Sequence, residues 1–283
     1  MPWDKKDGEL GVGIEIFKSP KQREEITSLV IGVFGLTFTG KTHFGLTGPE
    51  PVFVIDTELG VEQVVTRNGS PFISKEKGGT AKKDKDIRIA KALVADDKND
   101  VDLIASLRNI EQSIDAVTRY AIDHPEECGT IVVDTASELW AWYGLWLETE
   151  GATKFTKSGD IMRTEWSKAN KPYTRLIYRL RLCGWNVILL GKAKELYTKG
   201  GEATGFYVAR MQKDTEHWVD VMLEARHLGT HREFVTVKNR LKDGIQTYRD
   251  PDFNMIFKDT TGHNFMRPPP KPKEANTQVE VVT

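Results

Sequence analysis

Residues 35–42 read Gly35-Leu36-Thr37-Phe38-Thr39-Gly40-Lys41-Thr42, directly after the apolar run Leu29-Val30-Ile31-Gly32-Val33-Phe34. A strand that runs into G-x-x-x-x-G-K-T and then into a helix is the pattern of a phosphate-binding loop. Gly35 and Gly40 let the chain curl so that backbone N–H groups point inward at phosphate oxygens. Leu36, Thr37, Phe38, Thr39 and His43 fill out the stretch that would wrap the nucleotide. Lys41 places a point charge on the β- and γ-phosphates, and the Thr42 hydroxyl is the natural ligand for Mg²⁺. The helix beginning near Gly40 adds its positive end. The ligand implied is ATP or GTP with Mg²⁺.

The remaining composition sets bounds. A chain of 283 residues can bury a large core as one domain with extensions. Its formal charge of −1 provides no global basic field for nucleic acid, so any such contact must be a local patch. Cys128 and Cys183 stand far apart and match no metal spacing, which predicts a reducing interior. The opening residues Met1-Pro2-Trp3-Asp4-Lys5-Lys6 resemble no secretion signal, and no stretch is long enough to cross a bilayer. These features predict a cytoplasmic protein with no membrane partner.

Outward from the loop, residues 1–27 read as a charged arm, 28–260 as the core and 261–283 as a disordered tail around Pro268-Pro269-Pro270. Within the core, 68–100 reads as a mobile insertion, with lysines clustered around Gly78-Gly79. Strands are predicted at 51–56, 130–134 and 186–191, and helices at about 101–123, 137–148 and 163–182. Residues 195–213 read as a Gly-rich loop, followed by antiparallel strands at about 219–226 and 233–239. The strand–helix alternation predicts an open, mostly parallel α/β sheet flanked by helices, with late antiparallel strands. Its ligand should sit at the carboxyl ends of the strands. In 137–148 the aromatic residues fall on two helical faces, Trp140 and Tyr143 on one, Trp142 and Trp146 on the other; one face should pack on the sheet.

Asp134 ends the apolar run Thr130-Ile131-Val132-Val133, where a carboxylate would join Thr42 at Mg²⁺. Thr135, and not an acid, follows it. The general base for hydrolysis is therefore sought elsewhere, and Glu58 and Glu138 are both candidates.

Glu58 stands in Asp56-Thr57-Glu58 at the end of a strand, and there the sequence resembles the RecA superfamily, in which a strand ending in D-x-E supplies the glutamate that polarises water. The resemblance runs over about residues 28–245. Lys192, after the strand ending at Gly191, occupies the place where RecA has a glutamine that senses the γ-phosphate. Val237-Lys238-Asn239-Arg240 is similar to the K-x-R segment of RadA and DnaB-type motors, whose Lys and Arg reach the neighbouring subunit's γ-phosphate. Here Leu241 and Lys242 follow, where the family has an aromatic or glycine, so a charged strand end is the competing reading. By the same resemblance, Lys154 and Lys157 in 153–159, and Tyr197, Lys199, Phe206, Tyr207 and Arg210 in 196–210, occupy the DNA-loop positions. Their mix of aromatic and basic residues suits single strands, and it equally suits plain surface loops or a hairpin.

The whole plan resembles small phage-encoded RecA-core ATPases of the single-strand-annealing, Sak-four-like type. That implies a Mg²⁺-dependent ATPase in the host cytoplasm, binding single-stranded DNA in recombination or annealing, self-associating as a ring or filament, beside a single-strand-binding protein. A small-molecule kinase, a packaging motor and a nucleotide-dependent regulatory switch are the alternatives. The chain lacks the arginine-rich lid usual in the kinases and the length for a nuclease domain.

Overall fold

The strands form because their residues are apolar on both sides. In β1 (Val30–Gly35) and β4 (Thr130–Asp134) every residue is buried, as expected for parallel strands covered on both faces. The computed structural model describes residues 27–266; nearly all of the predicted arm and most of the predicted tail lie outside the described residues. Together with β2 (Val52–Asp56), β3 (Ile87–Lys91), β5 (Asn186–Tyr197), β6 (Ala203–Ala209), β7 (Val221–His227), β8 (Arg232–Asn239) and β9 (Thr247–Arg249), these strands make a nine-stranded sheet. Its order is β3-β2-β4-β5-β1-β7-β8-β9, with β6 paired to β5 off this path. From β3 to β7 the neighbours are parallel, and β7–β8, β8–β9 and β5–β6 are antiparallel. This is the open, mostly parallel α/β sheet with late antiparallel strands that the sequence predicts.

Among the described residues seven α-helices flank the sheet: α1 (Lys41–Gly45), α2 (Val61–Thr66), α3 (Leu103–Asp123), α4 (Ala136–Trp146), α5 (Ser167–Leu182), α6 (Thr215–Trp218) and α7 (Phe253–Thr261). The alternation along β5 divides the core in two. Val187 and Leu189 join α3, α4 and α5 on one face, with Ile110, Ile114, Leu139, Tyr173 and Ile177. Ile188 and Leu190 join the other face, with Phe44, Phe234, Phe253 and Phe257. In α3 the buried residues Leu107, Ile110, Ile114, Val117 and Ala121 recur at helical spacing. The helix starts where Asp102 accepts a hydrogen bond from the Ala105 N–H at 2.9 Å. Among the described residues no helix is long and apolar enough to cross a membrane.

Three expectations change. The segment 68–100 is not wholly an insertion, because it contains β3, the sheet's edge strand, with Ile87 and Ile89 registered on Val52 and Val54. Residues 195–213 are not an irregular loop. β5 continues through Tyr197 and pairs with β6 as a hairpin, its first six residues buried and its last six largely not. Past 260 the chain still packs, with the Phe265 ring 5.3 Å from that of Phe257.

Candidate active site

The parallel register brings four strand ends to one edge. Gly35 lies opposite Lys192, Asp56 opposite Asp134, and Asp134 opposite Leu190. A cleft of about 380 Å³ opens there, lined by the 35–43 loop, Glu58, Asp134, Lys192, Arg67, Arg210 and Arg232. Glycine is required at two loop positions for different reasons. A Cβ on Gly35 would stand 2.3 Å from the Ala225 carbonyl oxygen of β7, and Gly40 has φ +87°. Between them Thr39 Oγ1 donates to Leu36 O at 2.9 Å, and Phe38 is 90% exposed at the loop's tip. Lys41 Nζ donates to Gly35 O at 3.0 Å and Leu36 O at 2.7 Å. Burial lowers the Lys41 pKa, Lys192 adds to that, and the charges of Asp134 and Glu58 oppose it.

Thr42 Oγ1 donates to Asp134 Oδ2 at 2.7 Å, which sets a hydroxyl and a carboxylate side by side at the ends of α1 and β4. Burial pushes the Asp134 carboxyl up to about 6, with smaller contributions from Asp56 and Glu58 against the Thr42 hydrogen bond and Lys41. A carboxylate held in so dry a place gains from a cation beside it. Hard oxygen donors of this kind fit Mg²⁺, which is held by few protein ligands together with water and phosphate oxygens. Among the described residues no group of three or more His, Cys, Asp or Glu could hold a metal by itself. A cation here would rest on Thr42, Asp134 and the nucleotide.

Each residue of Asp56-Thr57-Glu58 has its own task. Asp56 is 1% exposed, and its carboxylate accepts from the N–H groups of Glu58 (3.1 Å), Gly60 (3.4 Å) and Val61 (2.9 Å). It fixes the turn that carries Glu58 into α2. Thr57 ties that turn to β4, its N–H donating to Asp134 O at 2.7 Å and its Oγ1 accepting from Thr135 N at 2.7 Å. Removing the carboxylate in Asp56→Ala strands three amides, so stability should fall by about 1–3 kcal/mol. Urea unfolding of the variant measures this, and an unchanged midpoint would contradict it.

Lys192 joins the two candidate bases. Its Nζ pairs with Glu58 Oε1 at 2.8 Å and with Glu138 Oε1, and its backbone N–H donates to Ser137 Oγ at 2.8 Å. Burial works against its charge, yet the two glutamates outweigh this and hold its pKa above the ordinary lysine value. Both carboxylates are thus within reach of the cleft and both are bound to the same cation.

Not every predicted residue comes to this place. Lys238 of β8 pairs with Met222 near the start of β7, whereas Gly35 is flanked by Ala225 toward the other end of β7, so Lys238 lies away from the strand ends that form the cleft. Its Nζ donates to Glu216 O and to Val219 O, and the Arg240 N–H donates to Asp220 O at 2.9 Å. Neither can reach the phosphates of its own chain. Lys154 and Lys157 are both exposed, Lys157 in the turn closed by the Phe155–Ile161 bridge and Lys154 just before it. Tyr197, Phe206 and Tyr207 stand on the hairpin, with Lys199 at its tip. Arg210, just past β6, instead lines the nucleotide cleft. His43 lines it too, its ring 5.0 Å from Phe72, and burial followed by the charges of Arg232, Arg67 and Lys85 pushes its pKa down to about 4.

Arg67 and Arg232 belong to the cleft and were not foreseen. The Arg232 side chain lies directly over the loop, where a Cβ on Gly40 would meet its Cδ at 2.4 Å. The sequence signal is weak: only the antiparallel register of β7 and β8 returns the start of β8 to the loop. Arg232→Ala should weaken nucleotide binding about tenfold, the scale of one charge-assisted hydrogen bond. Titration with a fluorescent ATP analogue measures it, and unaltered affinity would remove Arg232 from the ligand's contacts.

The family model for the AAA domain, AAA_24, matches residues 27–244, which include every element of this cleft. The chain belongs to the AAA domain family. No curated protein sequence matches it. Among solved structures this AAA domain is similar to the RadB recombinase, at 13% identity and a TM-score of 0.44, over 78% of this chain and 86% of that one. It is also similar to a KaiC-like protein from Pyrococcus horikoshii OT3, at 15% identity and a TM-score of 0.39, over 80% and 93% of the two chains.

Proposed function

We propose that this AAA domain is a Mg²⁺-dependent ATP hydrolase of RecA type that works on single-stranded DNA, in recombination or strand annealing. The observation that carries the reading is the meeting of Lys41, the Thr42–Asp134 pair and the Glu58–Lys192–Glu138 cluster at one sheet edge. Lys41 and the loop amides hold the phosphates, and Arg232 and Arg67 add charge at the cleft wall. Thr42 and Asp134 would hold Mg²⁺, which neutralises charge on the phosphoryl oxygens. Glu58 orients the attacking water and accepts its proton. A γ-phosphate entering beside Lys192 competes for that lysine, so nucleotide arrival loosens its grip on Glu58.

Lys238 and Arg240 lie too far from their own chain's cleft to act in it. In this reading they serve a neighbour's, and the working form is a ring or filament. A phage origin, a place in the host cytoplasm and a single-strand-binding protein as companion agree with the resemblance to the annealing ATPases. The test is steady-state ATP hydrolysis with and without single-stranded DNA. Stimulation of several-fold is expected, and turnover indifferent to DNA would favour a kinase or a nucleotide-dependent switch.

A further inference from the structure

A second cleft, of about 540 Å³, lies next to the first, between α4 and the base of the β5–β6 hairpin. Trp140 and Trp166 line one side, both half-buried, with ring centroids 5.8 Å apart and planes tilted by 39°. Each indole has a packing neighbour. Trp140 meets the fully buried Tyr173 edge-on at 5.4 Å, and a Cβ on Gly144 would stand 3.7 Å from the Trp166 ring. Lys194, Arg210 and Lys213 also line this cleft, together with one carboxylate, Glu148. All three cations are exposed, and among the described residues none of their side chains makes an ion pair.

The two clefts are connected. Arg210 lines both. Ser137, which accepts the Lys192 N–H, is part of the second cleft's wall. Whatever binds there therefore touches the residues that hold Lys192 between Glu58 and Glu138.

We propose that this cleft, and not the hairpin tip or the 153–159 turn, is the main contact for single-stranded nucleic acid. An unpaired base stacks against Trp140 and Trp166, and the adjoining phosphates lie on Lys194 and Lys213. Aromatic rings beside unpaired cations are what strand binding requires, since every base offers a π-face and every linkage a negative charge. A neutral apolar ligand would leave three cations unmatched, and a duplex keeps its bases stacked away from the indoles. The proposal rests on the DNA-binding reading above and specifies its site.

The experiment measures binding of a labelled oligothymidylate of about 20 nucleotides to the full chain, with salt varied. Wild type is compared with Trp166→Ala, Trp166→Phe, Lys213→Glu and the hairpin-tip variant Phe206→Ala. Trp166→Ala should bind roughly tenfold more weakly, the scale of one lost stacking contact, and Trp166→Phe should recover most of that. Lys213→Glu, a surface change with no packing to disturb, should weaken binding and flatten the salt dependence by about 0.7 per lost phosphate contact. Phe206→Ala should change little. Wild-type binding by both Trp166→Ala and Lys213→Glu would overturn the cleft assignment and leave DNA binding standing. Absence of binding by wild type, with ATP and Mg²⁺ present, would overturn the DNA reading itself. Binding of an acidic peptide in place of the oligonucleotide, sensitive to the same variants, would reassign the cleft to a protein partner.

Discussion

Lys41→Ala is expected to lower the rate of ATP hydrolysis by about 10²- to 10³-fold, the usual cost of removing one fixed charge aimed at a transition-state oxyanion. Lys41 is held at the loop by the Gly35 and Leu36 carbonyls, 3.0 and 2.7 Å away, and stands close enough to Asp134 and Glu58 for their charges to support its own. No other residue of the loop offers a cation; Arg232 and Lys192 line the same cleft from β8 and β5. Alanine there keeps the helix, because it has the highest helix propensity, so folding should be preserved. Phosphate release and thermal unfolding are measured together. A variant that melts like wild type and has lost turnover fits the account. A variant that hydrolyses ATP at the wild-type rate would show that chemistry occurs elsewhere.

Glu58→Gln should keep nucleotide binding and reduce the rate by about 10²- to 10⁴-fold, the range of a lost general base. Glu138→Gln should cost much less. Both glutamates contact Lys192, so proximity alone does not separate them. Their anchoring does. Glu58 sits on a turn braced by the buried Asp56 and by Thr57, directly beside the Thr42–Asp134 pair. Glu138 lies in the first turn of α4, whose N-cap Thr135 accepts its N–H at 3.2 Å, and it is the more buried of the two, at 25% side-chain exposure against 40%. The more open carboxylate is the one water reaches. Single-turnover hydrolysis of the two variants decides between them, and the reverse pattern would move the base to Glu138.

Local motifs were legible, and their legibility has a physical basis. The phosphate loop is a contiguous stretch whose residue types follow from backbone geometry, so Gly35 through Thr42 could be read without any neighbour. Asp134 was legible because a buried strand ending in a carboxylate is a costly arrangement without a purpose, whereas Glu58, two residues past the end of β2, was legible only through the Asp56-Thr57-Glu58 resemblance. Arg232 could not be read this way. Its place over Gly40 depends on β8 running antiparallel to β7, a pairing that no local spacing announces. The hairpin was one of the readings left open, and the sequence could not select it for another reason: beyond Gly191 the strand leaves the core, and Lys192 to Tyr197 carry no burial pattern. β3 was masked by the lysines around it, since Ile87-Arg88-Ile89 is only a short alternation at the sheet's edge. The aromatic helix did not divide along the two predicted faces, since one residue of each face is buried and the other, Trp140 or Trp146, is only half-buried. Trp142 and Tyr143 are buried, while Trp140 remains half-exposed at a cleft whose other wall comes from β5 and the residues after β6, outside the reach of any helical pattern.

The most direct measurement is release of inorganic phosphate from ATP by the full chain, with Mg²⁺ and with the metal chelated, using Lys41→Ala as the blank. The account predicts Mg²⁺-dependent release that the blank lacks. Release no greater than the blank, with Mg²⁺ and single-stranded DNA both present, would contradict it.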